Sequence, residues 1–438
     1  MQNLTDHAVF DATGCPGLFR MRPARDGAIC RVKLELGVLS AAQAETIADV
    51  AEEFGNGIIE ATNRGNLQLR GMWPETAGEV IRRLLEAGLG PRVPQADDIR
   101  NVMVSPLAGR DPAAICDVRP LARQVLATLQ ANPRYFSLSP KFSILVDGGE
   151  AMAMTGHAHD IWLSATADGF AIGIAGWPPL MGEPHAVLGA VESERAHEAV
   201  VALLEIFLEA RIEQPDATRF RHVTAHTVTI GNRLRGRIAL ADIGGWHRTP
   251  PVPFMHIGVH PQSGHGLMAV GGMPPLGRLD PASLRQLADL SRAGNGGTIH
   301  VTPWQSILLP DIPAPRADAV AWQMTAIGLA CDVSAPLSGM IACSGSAGCM
   351  AALADTQRDA RLLAGMVGGT SIHVSGCPKS CAAAHVVSVT LIAASPGHYD
   401  VFVKDNGDAS RFGRRVAAHA TIAEAAAAIA ENRSLPRA

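Results

Sequence analysis

Lysine is nearly missing from this chain. Of its 37 basic residues only Lys33, Lys141, Lys379 and Lys404 are lysines; the others are arginines. Aromatic residues are scarce too, at 4%. Neither sign of charge dominates, since 37 basic and 41 acidic residues leave a formal charge of −4. That balance gives no bulk basic surface for nucleic acid and no acidic tail. Eight cysteines in 438 residues are too few for a disulfide scaffold. The opening MQNLTDHAVFD lacks a basic segment and an apolar run, so it does not read as a signal peptide. The stretch from Ala335 to Ala354 is uncharged, but it is rich in Gly and Ser and holds two cysteines. It reads as a site loop, not a membrane span, and the expectation is a cytoplasmic protein. The sequence contains no G-x-G-x-x-G and no P-loop, so any reductant is expected to act through a separate electron-transfer protein. What is present is 47% hydrophobic residues against 18% charged, enough for a sizeable core. The arginine excess suits a ligand with many carboxylates, which guanidinium grips in a bidentate fork. Composition alone favours coding bias in an Ala-rich chain.

Two stretches repeat at an offset of 240 positions. The first begins at Gly37 and the second at Gly277. Gly37/Gly277, Leu39/Leu279, Ala48/Ala288, Asp49/Asp289, Gly57/Gly297, Ile59/Ile299, Thr62/Thr302 and Leu69/Leu309 are identical pairs. In each copy a plausible N-cap, Ser40 or Asp280, precedes apolar residues at helical spacing. A Gly/Asn cluster ends the helix, and two β-type runs follow, 58–62 and 67–69 or 298–302 and 307–309. A helix followed by a hairpin is half of a ferredoxin-like sheet. The segment 100–105 also corresponds, shifted by two, to 338–343. The expected fold is α+β and internally duplicated. Two ferredoxin-like half-domains would form one pseudo-twofold sheet, with two larger α+β domains beside it. The divisions read as 10–75, 76–245, 246–320 and 321–438, with a Pro-rich joint at 249–253. Strands are expected at 371–374, 386–394 and 399–403, and helices at 349–366 and 421–431.

Four cysteines form one pattern. Cys343 and Cys349 are C-x5-C, and Cys377 and Cys381 are C-x3-C. Zinc modules prefer pairs with two to four intervening residues, whereas four thiolates suit an iron–sulfur cube. Gly345 and Gly348 allow close backbone approach. Cys349 is expected to open a helix, and Pro378 to sit in a turn or first helical turn. Zinc remains a lesser alternative. Cys15, Cys30, Cys116 and Cys331 are scattered and read as ordinary thiols.

C-x5-C followed by C-x3-C, on a duplicated half-domain, resembles the sirohaem-dependent sulfite and nitrite reductases. The resemblance implies that Cys343, Cys349, Cys377 and Cys381 bind a [4Fe-4S] cluster, with Cys381 bridging to a sirohaem iron. The segment 62–70 resembles the family's T-x-R-x-x-x-Q motif, which implies a pocket arginine at Arg64 and includes Gln68. Arg100-Asn101-Val102 resembles its R-N-V motif. Segment 139–143 resembles L-P-x-K-F-K, with Lys141 kept and Ser143 in place of the second lysine. That departure weakens the case for simple oxyanion reduction.

The opening 14–27 and Thr302-Pro303-Trp304 more closely resemble the precorrin-3B synthase family. This implies an oxygen-dependent monooxygenation of precorrin-3A to precorrin-3B in aerobic cobalamin biosynthesis. C20 is hydroxylated and a ring-A acetate closes as a γ-lactone. The implied cofactors are the [4Fe-4S] cluster and a mononuclear non-haem iron. An external electron-transfer protein would pass on electrons from NAD(P)H. Arg64, Arg100 and Lys141 are the expected catalytic-pocket cations, and Arg20, Arg22, Arg25, Gln68 and Arg70 the expected substrate contacts. A sirohaem reductase acting on sulfite or nitrite is the alternative. For the mononuclear iron, His157-Ala-His159-Asp160 is the tightest local candidate. His222 and His226 lie in an alternating run that reads as a strand, too extended for one metal, as do His256 and His260. The iron ligands therefore stay unassigned.

Overall fold

A computed structural model describes residues 9–10, 14–183, 187–223, 227–292, 294, 296–367, 371–385, 387–404 and 411–432. The helix of each half-domain starts as its sequence dictates. Ser40 caps Ala41–Phe54 in a full capping box with Gln43. In the second copy the Asp280 carboxylate accepts from the Ser283 N–H at 2.7 Å, ahead of helix Pro281–Arg292. Ile47, Val50 and Ala51 on one helix and Leu284, Leu287 and Ala288 on the other enter one shared core.

The two halves form two sheets, a correction to the single sheet expected. One is six-stranded and the other five-stranded. They are joined by a reciprocal exchange at the repeat offset. Val38–Ser40, from the first copy, pairs antiparallel with Thr298–Val301 in the second copy's sheet. Arg278–Leu279, from the second copy, pairs with Ile59–Ala61 in the first. Just before each exchanged strand the chain turns through left-handed backbone. Leu36 and Leu276 have φ of 53° and 55°, and Gly37 and Gly277 follow at 78° and 75°. A leucine in that conformation is strained, so the turn is held by packing on both sides.

The duplication continues in the larger domains. In the first, Val102–Met103, Ile144–Asp147 and His159–Thr166 run parallel, and Gly169–Gly176 and Val187–Glu192 add antiparallel strands. In the second, Met340–Ala342, Ile372–Ser375 and Val389–Ser395 run parallel, followed by antiparallel His398–Val403 and Arg414–Ala420. Parallel strands deliver their C-terminal loops to one edge. In the second copy those loops carry the four cysteines, whereas in the first Arg100 and Lys141 lie just before their strands.

Two local expectations change. The 349–366 helix is divided: a short helix spans Gly345–Gly348 with Cys349 just after it, and the longer one is Thr356–Ala364, capped by Asp355. Gly345 at φ 65° and the Asp355 cap break the run. The stretch read as a strand around His222 is a 3-10 turn, Phe220–His222, and a helix, Thr227–Arg235; His226 lies outside the described residues. Ile230 and Leu234, four apart, anchor that helix in the core. No helix among the described residues is long and apolar enough to cross a membrane.

Replacing Ser40 by Ala removes the capping box. We expect unfolding to become easier by about 1 kcal/mol, read from denaturant titration, while Ala42→Ser on the exposed face leaves it within about 0.5 kcal/mol.

Candidate active site

The four cysteines leave two adjacent strand ends. Cys343 follows Met340–Ala342, and Cys377 follows Ile372–Ser375. The turns are tied together: Leu353 N–H donates to the Gly376 carbonyl at 2.9 Å, and Gly376 N–H donates to Cys343 Sγ at 3.2 Å. All four thiols are free. Burial pushes the Cys381 thiol up, and Cys377, Cys343 and Cys349 push it further, each acting as a nearby negative charge. Four thiolates repelling one another in this way need positive charge between them, which suits an iron–sulfur cube. Among the described residues no three His, Cys, Asp or Glu groups converge on a single metal ion. A cube sets its thiolates further apart than the ligands of one ion, so this does not exclude a cluster between the two cysteine turns. The mononuclear iron fares differently. Asp160, in the best local candidate, is committed to Arg219, the Phe220 N–H and the Ser143 N–H.

Cys381 also meets the pocket cations. Lys141 offsets part of the upward push on its pKa, and burial lowers that of Arg31, which the Cys381 sulfur only partly opposes. The turn after it is held by both half-domains. Asn63 donates to the Cys381 carbonyl at 3.0 Å, and Gln305 to the Ala382 carbonyl at 3.1 Å. Arg64 bonds the Pro140 and Lys141 carbonyls at 3.3 and 3.1 Å, so it fixes the segment bearing Lys141 and Ser143. Arg64 and Arg100 line one small cavity with Asn66 and Asn101. Burial lowers both guanidinium pKa values, Arg64 to about 10, and Arg219 and Arg31 add repulsion at Arg64. These cations are charged at neutral pH yet poorly compensated. An arriving carboxylate would offset that cost.

The expected substrate contacts divide. Arg70 is 1% exposed, and its guanidinium meets Asp26, Glu60, Ser344 Oγ and the Gly348 carbonyl. Its donors are used by protein, so it is a clasp between the first half-domain and the Cys343–Cys349 turn and has nothing to offer a substrate. Arg25 reaches the same turn at the Ser346 carbonyl, 2.9 Å away. Arg20 is paired with Asp98 and the Cys15 carbonyl, and Arg22 donates to the Gly14 carbonyl. Gln68 links Arg31 to Glu60.

Sequence reasoning missed two groups. Arg31 faces this network from strand Gly27–Val32 with its Nε buried and unpartnered; its register opposite Gln68 was the available signal. The second is the grouping of five largely buried histidines, of which His157, His159 and His256 stand out singly in the sequence but His373 and His385 do not. His157, His159, His256, His373 and His385 each keep at least one buried ring nitrogen without a partner. Burial drives His157, His256 and His373 down to about 3 and His385 to about 4. His157 and His159 share one segment and the other three lie on three further ones, so no local motif announces the grouping.

Two family models match this chain. The nitrite and sulphite reductase 4Fe-4S domain matches residues 95–227, the copy without the four cysteines. The nitrite/sulfite reductase ferredoxin-like half domain matches 22–87 and 260–326. Ferredoxin–nitrite reductase of Synechococcus elongatus is 29% identical over 86% of this chain and 78% of its own. Precorrin-3B synthase of a Sinorhizobium species is 27% identical over 88% of this chain and 81% of its own. The solved NirA protein of Mycobacterium tuberculosis shares the fold, with a TM-score of 0.74 at 23% identity over 91% of this chain and 79% of that one. The matches set the chain in the nitrite/sulfite reductase superfamily of oxidoreductases.

The buried histidines make the fold acid-sensitive. Unfolded imidazoles take up protons below pH 6.5, while folded His256 refuses them down to about 3. Stability is therefore full above 6.5 and falls as the pH drops below it, by at most about 1.4 kcal/mol per pH unit per group. We expect His256→Phe, which keeps the stack on Trp304, to flatten the fall between pH 6.5 and 4.5 in denaturant titrations. An unchanged slope would assign the sensitivity elsewhere.

Proposed function

We propose that this protein converts precorrin-3A to precorrin-3B with O2, hydroxylating C20 and closing the ring-A acetate as a γ-lactone. The observation that carries this reading is Ser143. It stands where the reductases have a second pocket lysine, and its buried hydroxyl has no partner. Arg219, the next cation, is bound to Asp160. A small oxyanion thus has fewer cations to hold it. Arg31, Arg64, Arg100 and Lys141 suit a larger polycarboxylate.

Cys343, Cys349, Cys377 and Cys381 would hold a [4Fe-4S] cluster, which supplies one-electron transfer when bound. The side chains then bind and orient. Arg64 and Arg100 take substrate carboxylates and so fix the macrocycle. Lys141, fixed through its carbonyl by Arg64, supplies charge near Cys381. The reaction consumes the substrate, O2, two electrons and two protons and yields the product and water. The electrons come from an external ferredoxin-type donor. The second reading is nitrite reduction, favoured by the nitrite reductases among its relatives.

Anaerobic purification with iron, sulfide and tetrapyrrole analysis separates the two. We expect a cluster without sirohaem, and precorrin-3B from precorrin-3A under O2. Stoichiometric sirohaem with nitrite turnover would replace the first reading by the second. Cys377→Ser is expected to lose the cluster's broad absorption and oxygenation together. Arg64→Ala is expected to weaken precorrin-3A binding by about tenfold; undiminished affinity would remove Arg64 from the site.

A further inference from the structure

The buried histidines are joined. The His157 and His159 rings lie 5.0 Å apart. His385 is close enough to His157, His256 and His373 to act on each of them, and its side chain starts beside the Gly156 turn, next to His157. His157 and His159 both feel Arg64. His373 Nδ1 lies 3.3 Å from the Ser380 hydroxyl, beside Cys381. His256 stacks on Trp304 at 4.6 Å and 3°, and Trp304 is the repeat counterpart of Arg64. His157, His256 and His373 are buried, while His385 is partly exposed. The group thus runs from His385, the member nearest solvent, towards Arg64 and Cys381. Orphaned ring nitrogens in such a row need hydrogen-bonding neighbours, either water or a reacting species.

We propose that His385 and His157 form a proton relay that serves the reacting centre beside Arg64. A neutral imidazole both donates and accepts, so it passes a proton by exchanging tautomers and never holds a lasting charge. A buried row of neutral rings suits transfer better than storage. The relay rests on the redox reading above. Oxygenation takes up two protons with its two electrons as one oxygen atom leaves as water. Nitrite reduction to ammonium takes up eight protons with six electrons and releases two waters. In either case the protons must cross protein that Arg64 and Arg219 keep hostile to cations.

The test uses cluster-loaded His385→Ala with a reduced ferredoxin and either precorrin-3A with O2 or nitrite alone. We expect kcat to fall about a hundredfold, KM to stay unchanged, and added imidazole to restore much of the rate. A larger solvent isotope effect should accompany the loss. His157→Ala, remote in sequence from the cysteines, should behave alike and serves if the first variant loses its cluster absorption. Wild-type rates in both variants, or a lost rate that imidazole fails to restore, would overturn the relay. So would the loss of a non-cluster iron from His385→Ala, which would make His385 a ligand. A wild type idle on both substrates would sink the redox reading and the relay together.

Discussion

The site depends on how one buried guanidinium is satisfied. Arg70 sits inside the first half-domain, yet it binds Ser344 Oγ and the Gly348 carbonyl in the turn between Cys343 and Cys349. Glu60 accepts from Arg70, Arg278 and Ser344 at once. Arg278 belongs to the second half-domain, so three parts of the chain meet at one carboxylate. The arginines hold Glu60 below the usual carboxylate range despite its burial. A network of this kind specifies geometry more than it adds stability, because removing a single member strands a buried charge. The cysteine turn is thereby positioned by a rigid core and not by its own loop.

Around that junction the same frame is used twice for different chemistry. Both five-stranded sheets of the larger domains bring parallel strand ends to one edge. The second copy puts Cys343 and Cys377 at those ends. The first copy has Ser105 and the 148–158 loop in the corresponding places, with His157 and His159 buried at the loop's end and the start of the next strand. The second copy supplies the thiolates with His373 and His385, and the first supplies His157 and His159. The half-domains diverge in the same way, with Arg64 in one and Trp304 in the other.

The half-domains were legible because one fixed offset lined up caps, apolar positions and strands, and the cysteine pattern because it is local. Other features were not. The run around His222 alternates Val and Thr with polar residues, which mimics a strand, while the four-residue spacing of Ile230 and Leu234 decides for a helix. Cys349 lies in a glycine-led turn that Asp355 separates from the next helix. Arg70 resembled a substrate arginine because its five donors find acceptors only across several elements. His157, His159 and His256 were noted singly, but their grouping with His373 and His385 was not legible, since it forms only through tertiary packing.

The traded strands carry a cost that covalent continuity removes. Without its visiting strand, each half-domain would present an unpaired sheet edge, and unpaired edges polymerise. Holding both edges on one polypeptide keeps each within reach of its counterpart at a high effective concentration. Closure therefore happens inside a molecule and not between neighbours, and excising either half would be expected to yield aggregates in place of a smaller working unit.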